Sequence, residues 1–213
     1  MEEMCRFCNI VNSKGYKAEN QPIMENSNYF SIASIGALVE GWVLIVPKKH
    51  VISMKDLYVS KDFIDFTNDM LSVLKLRYPG PYIAFEHGPN KCGSNTSCGT
   101  DHAHLHIVPY CDSLYNDMTS TGLIWENCNA NQISSRVGSN EYLFYSEISD
   151  GSSWEDHKGY IHALAESISQ YFRKIIAKQI GRADEYDYKK NACVDVAIET
   201  NRQLSMAIAH ERE

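Results

Sequence analysis

The chain has 213 residues, a formal net charge of −7 and 44% hydrophobic side chains, enough for one substantial domain or a small domain with an extension. The acidic balance argues against a nucleic-acid polymer as partner, whose binders carry a basic footprint, but leaves room for a small anion held by a few local donors. No apolar run is long enough to cross a bilayer, and Met1, Glu2 and Glu3 do not open an export signal, so no membrane partner is expected and the cytoplasm is the default location.

Residues 5–11 read as a short helix or turn, followed by a polar loop with Ser13, Lys14 and Gly15. Residues 28–35 alternate aromatic or apolar with small side chains, which predicts a strand. Residues 41–47 form an apolar run suited to a buried strand, with 36–40 as the connection. An amphipathic helix is predicted over 60–78. Phe63, Phe66, Met70, Val73 and Leu74 recur there at three- and four-residue spacing, Ser60 is placed to cap it and Pro79 and Gly80 to stop it. Residues 82–86 read as a third strand, 88–100 as a Gly-, Asn- and Ser-rich loop, and 102–109 as a fourth strand. Strands in this order with one long helix across them predict an α+β fold with a mainly antiparallel sheet.

Beyond Cys111 the chain is polar and irregular to about residue 140, with a possible short strand at Leu123, Ile124 and Trp125. Residues 142–145 read as a strand and 150–152 as a turn. A helix is predicted over 160–179, with Ile161, Leu164, Ile168, Tyr171, Phe172, Ile175 and Ile176 on one face and Gly181 as its stop, and a weaker one over 191–210. The expected organisation is a first domain over 1–115 and a mostly helical extension over 116–213 packed on it. The extension's own function is not legible.

The most informative stretch is 101–109, in which His102, His104 and His106 alternate with Ala103, Leu105 and Ile107. On a strand, all three imidazoles would line one face. A core gains nothing from three adjacent titratable rings. An imidazole nitrogen can attack phosphorus to give a phosphoramidate that an acceptor then opens, while neighbouring rings bind phosphate oxygens. Half-solvated structural histidines, or a site of metal ligands alone, are the other readings of the same residues.

The pattern of histidines alternating with apolar residues resembles the signature of the histidine triad (HIT) family of nucleotide hydrolases and transferases. Two further blocks, in the same order and spacing, resemble that family: residues 36–50, where a strand ends in Pro47, Lys48, Lys49 and His50, and the opening Cys5, Arg6, Phe7 and Cys8. The resemblance covers roughly residues 4–111. It implies a HIT-like fold, often homodimeric, and a small nucleotide substrate. It makes His104 the nucleophile on the α-phosphorus of a dinucleoside polyphosphate, nucleoside phosphoramidate or related conjugate, with His106 on the phosphate oxygens. Ser94, Asn95, Thr96, Ser97 and Thr100 lie in the loop just before, which can cradle an anion.

The chain departs from the commoner family pattern at three places. Cys98 stands where a glutamine is frequent, with Gly99 after it in place of a hydroxyl; Asn95, Thr96 or Thr100 can supply the donors. Ser34 falls where an acidic residue often holds the ribose, and Glu86 where an asparagine is common. Ile32, Ile35 and Leu44 can line a base pocket or simply the core. A non-catalytic nucleotide-binding regulatory or scaffold protein, and a phosphorylase or sugar-phosphate nucleotidyltransferase relative, are the alternatives to a hydrolase.

Seven cysteines in a chain without an export signal favour metal binding or plain thiols over disulfides. Cys92 and Cys98 read as reduced loop thiols, or as a local disulfide under oxidation. Two thiolates at the Cys5 and Cys8 spacing can hold one side of a tetrahedral zinc, which needs two more ligands. The resemblance supplies these as His50 and His102, a closed structural site, with His87 as a competitor for a ligand position. His102 would then serve the metal and leave His104 and His106 for chemistry.

Overall fold

Several strands bury side chains on both faces of their sheet, and the computed structural model shows what covers each face. It describes residues 5–13 and 17–211; the N-terminal Met1, Glu2 and Glu3 and the loop residues Lys14 and Gly15 lie outside the described residues. The elements are α1 (Arg6–Asn12), β1 (Pro22–Glu25), β2 (Tyr29–Ala33), β3 (Val43–Pro47), α2 (Lys61–Arg77), β4 (Tyr82–Gly88), β5 (Leu105–Pro109), α3 (Tyr115–Ser120), β6 (Glu126–Asn129), α4 (Ile133–Val137), β7 (Glu141–Ile148), β8 (Lys158–Leu164), α5 (Tyr171–Gln179) and α6 (Val194–Glu211). The strands make one antiparallel sheet in the order β1-β2-β3-β5-β4-β7-β8-β6, so the fold is α+β as expected.

Alternation along the strands sorts side chains onto two faces. Ala33, Val43, Ile45, Ala84, Leu105 and Ile107 join one core with Phe63, Phe66, Met70 and Leu74 of α2 and Ala197 and Leu204 of α6. Phe30, Ile32, Leu44, Val46, Phe85 and Val108 join the other with Phe7 and Ile10 of α1, Met118 of α3, and Phe172 and Ile176 of α5. His106 lies opposite Leu44 on β3 and opposite Phe85 on β4, which fixes its place on this second face. The stripe read from 60–78 forms α2, and the Ser60 hydroxyl accepts from Phe63 N at 3.2 Å as its cap.

Several expectations need correction. The helix expected over 160–179 is two elements, β8 and α5, separated by Gln170 at φ +55°. Ile161 and Leu164 are spaced as on a helix, yet they face different cores from one strand. The region expected to be mostly helical, 116–213, also carries β6, β7 and β8. Because β7 pairs with β4 from Tyr82↔Ile148 to Gly88↔Tyr142, the sheet runs across the expected boundary at 115. The strand expected at 123–125 forms instead at Glu126–Asn129, where only Cys128 is buried and no periodic signal exists. Finally, β5 begins at Leu105, so His102 and His104 precede the strand on a lead-in held by Ala103 N to Val51 O at 2.7 Å. No helix among the described residues is long and apolar enough to cross a membrane.

Candidate active site and metal site

Wherever a ring nitrogen of His meets a group that can only donate or only accept, its tautomer is determined. His104 Nδ1 lies 2.8 Å from the backbone carbonyl of His102 and must donate to it, which leaves Nε2 with a free lone pair. His106 Nδ1 lies 2.9 Å from the indole Nε1–H of Trp42 and must accept from it, which leaves Nε2 carrying the proton. The two rings are 4.9 Å apart between centroids. One therefore offers a nucleophile and its neighbour a hydrogen-bond donor. Phe85 stacks on His106 at 4.5 Å, and Phe7 of α1 meets His104 edge-on at 5.5 Å, so packing holds both orientations.

Burial depresses both rings. His106 is pushed well below an ordinary histidine by desolvation, with His104, His87 and Arg173 adding to the effect. His104 is lowered by burial too, against the pull of its bond to His102. Both stay neutral at neutral pH, the state a nucleophilic lone pair requires.

These rings open into a pocket bounded by Arg6 and Phe7 of α1, Ser34 and Ile35 after β2, Leu44 of β3, His87 of β4, the loop residues Ser97, Cys98 and Thr100, Arg173 of α5, and Tyr188. Ser34, Thr100, His104 and His106 thus line one pocket, with Ile35 and Leu44 beside them. Ile32 packs in the core instead. Asn95 is exposed and outside the lining, and Thr96 is buried with its hydroxyl on Glu141 at 2.6 Å. Glu86, expected near the substrate, sits on the opposite face of the sheet. With period 2, Phe85 and His87 face His106 while Glu86 faces α2, where Met54 N at 2.7 Å and the hydroxyls of Tyr58 and Tyr142 donate to its carboxylate.

Arg6, Phe7, Trp42, Arg173 and Tyr188 were not singled out by the sequence for this pocket, and His87 was weighed only as a metal ligand. A buried Trp needs an acceptor for its N–H, which was an available signal for Trp42. Arg173 and Tyr188 arrive from more than 60 residues beyond His106, and nothing local announces them. They come close because Gly36, at φ +77°, leaves no room for a Cβ, which would lie 2.4 Å from Cβ of Tyr188. The Gly36 carbonyl accepts from Arg173 and its N–H donates to Ala192 O.

On the other side of Phe7 the four expected ligands converge. The ligand atoms of Cys5, Cys8, His50 and His102 all lie within 4.8 Å of one another and can hold a metal ion. His102 Nε2–H donates to Pro47 O at 2.8 Å, which frees Nδ1 to face Cys5 Sγ at 3.3 Å and Cys8 Sγ at 3.6 Å. His50 Nδ1 lies 3.2 Å from Cys8 Sγ. These separations match the edges of a tetrahedron around an ion with ligands at about 2.0–2.3 Å. His87 stands apart from this set in the pocket, and Cys92 and Cys98 are free thiols.

No family model matches the chain, and no curated protein matches it. Among solved structures it is similar to a HIT family hydrolase from Clostridium thermocellum, at 21% identity over 53% of this chain and 95% of that one, with a TM-score of 0.38. It is also similar to a hypothetical histidine triad nucleotide-binding protein from Sulfolobus tokodaii strain7, at 20% identity over 51% and 70% of the two chains and a TM-score of 0.36. A histidine triad protein from Clostridium difficile matches at 24% identity over 51% and 92%, with a TM-score of 0.33.

Proposed function

We propose that this protein is a nucleotide hydrolase or nucleotidyltransferase that works through a covalent nucleotidyl group on His104. The observation that carries the reading is the pair of opposite tautomers in one pocket. His104 Nε2 attacks the α-phosphorus, the N–P bond forms, and the bond to the leaving group breaks with its electron pair. The ring becomes cationic, and its Nδ1–H on the His102 carbonyl stabilises that charge. His106 Nε2–H donates to a non-bridging oxygen as charge builds there. Water or another acceptor then bonds to phosphorus, the N–P electrons return to Nε2, and the acceptor's proton passes to solvent. Ser34 and Thr100, with Ile35 and Leu44, supply polar and apolar walls for ribose and base.

We read the metal position as a zinc site of Cys5, Cys8, His50 and His102. The donor set of two thiolates and two imidazoles supports it, since that set suits tetrahedral zinc. Zinc held by four protein ligands supplies structure and no open position for substrate. The His102 carbonyl that fixes the His104 tautomer belongs to one of its ligands, so the site holds the nucleophile from behind.

Turnover of adenylated and guanylated dinucleoside polyphosphates and phosphoramidates by the wild type and by His104→Ala tests the activity. The expected result is turnover of at least one class and a loss of about a thousandfold or more in the variant. Equal rates in the two proteins would remove His104 as nucleophile.

A further inference from the structure

Arg173 and His87 line the pocket, and the steps above use neither. Arg173 is only 4% exposed, yet it forms no ion pair among the described residues. Its Nε and Nη2 donate to the backbone carbonyls of Tyr186 and Gly36, which occupies two of five N–H donors. Its guanidinium lies 5.1 Å from the centroid of the Trp42 ring and 5.9 Å from that of Tyr188. Charged side chains are almost never fully buried unless paired, and here the carboxylate of Asp187 acts on the guanidinium only from beyond ion-pair distance, which leaves room for an anion in direct contact.

His87 is a second, independent sign of a missing ligand. Its Nε2 is buried and has no hydrogen-bond partner among the described residues. Phe85 and Phe172 pack against the ring in edge-to-face geometry at 5.9 and 5.2 Å, and the ring lines the pocket. The ring lies 6.4 Å from that of His106. Arg6 and Arg173 both line the pocket with the histidines.

We propose that Arg173 and His87 form a second anion subsite beside His106, which selects a phosphate-bearing leaving group or acceptor and rejects an amine. The selectivity rests on the nucleotidyl-transfer reading; the anion subsite itself does not. As His104 Nε2 bonds to phosphorus, the P–O bond breaks and both electrons go to the leaving phosphate oxygen. That group departs as an anion, needs no proton, and finds its counter-charge in Arg173. An amine would have to gain a proton as the P–N bond breaks and would then leave neutral, with no charge for the guanidinium to meet.

Two measurements test this on the full chain. In the first, inorganic pyrophosphate is titrated by calorimetry into the wild type, Arg173→Lys and His87→Gln, each checked for folding by thermal unfolding. The wild type is expected to bind, and each folded variant to bind at least about tenfold more weakly. Because Arg173 also ties down Gly36 and Tyr186, His87→Gln alone decides if Arg173→Lys does not fold. In the second, kcat/KM is compared for diadenosine triphosphate and an adenosine 5′-phosphoramidate of tryptamine, which share the adenylyl group. The wild type is expected to favour the triphosphate by about tenfold or more, and the variants to lose that ratio. No pyrophosphate binding, binding unchanged in the variants, or a preference for the phosphoramidate would each overturn the proposal. Pyrophosphate binding through His87 and Arg173 with neither substrate consumed would uphold the subsite and refute the catalytic reading instead.

Discussion

His106 is a fixed hydrogen-bond donor only while Trp42 occupies its Nδ1. Trp42→Phe keeps a ring in that core position but removes the indole N–H, which frees His106 to exchange tautomers. The variant is expected to lose about 10- to 100-fold in kcat, because the oxygen-binding donor is then present only part of the time. Nitrogen-15 NMR of the imidazoles should show His106 moving from a single tautomer to a mixture; an unchanged tautomer with unchanged kcat would contradict this role. Glu86 gives a second prediction at this scale. Burial raises its carboxyl from 4.5 to about 7, against the pull of the Tyr142 and Tyr58 hydroxyls. Between those values the folded protein holds a proton the unfolded chain has released. Its contribution to stability is thus full below the lower value and lost as pH rises through the upper one. The loss totals about 3 kcal/mol. Urea unfolding at about pH 5 and about pH 8 should show this fall in the wild type and its absence in Glu86→Gln, and identical pH dependence in both would contradict it.

At the scale of elements, α1 is seven residues long, too short to be a stable helix by itself, and it has no side-chain cap. What holds it are Phe7 and Ile10 in the core and the two thiols facing His50 and His102. One zinc per chain is expected in the purified protein. Its removal by a chelator, or Cys8→Ser, should lower the melting temperature and speed hydrogen exchange over residues 6–12. Purified protein with no bound metal and no response to chelator would contradict the zinc assignment. Legibility in the sequence followed the same division between local and distant causes. α2 was readable because its apolar stripe, its Ser60 cap and its stop at Pro79 and Gly80 all lie close together in the chain. β8 was misread because Ile161 and Leu164 enter different cores from one strand, which breaks the period-2 signal and mimics helical spacing. The closeness of His104 and His106 was readable from spacing, whereas the face of Glu86 depended on the register of β4.

The molecule as a whole completes the pocket from both ends of the chain. β7 extends the sheet beyond β4, and α5 covers the face on which His106 lies and brings Arg173 and Phe172 against the histidines. A chain ending at residue 115 would expose one edge of β4 along seven residue pairs, together with the core surface under α5. It is expected to lack a cooperative thermal transition by circular dichroism, while the full chain shows one. A cooperatively folded fragment that still turns over nucleotide would contradict the cis construction of the site. Arg173 and Tyr188 escaped the sequence reading for the same reason, because only the folded sheet brings residues so far apart in the chain to one pocket.

The most direct test of the account is mass spectrometry of the protein quenched at alkaline pH during turnover, with the nucleotidyl group mapped by peptide. One acid-labile nucleotidyl group is expected, attached to His104 and missing from His104→Ala. A label on another residue, or full turnover with no label at any time, would contradict it.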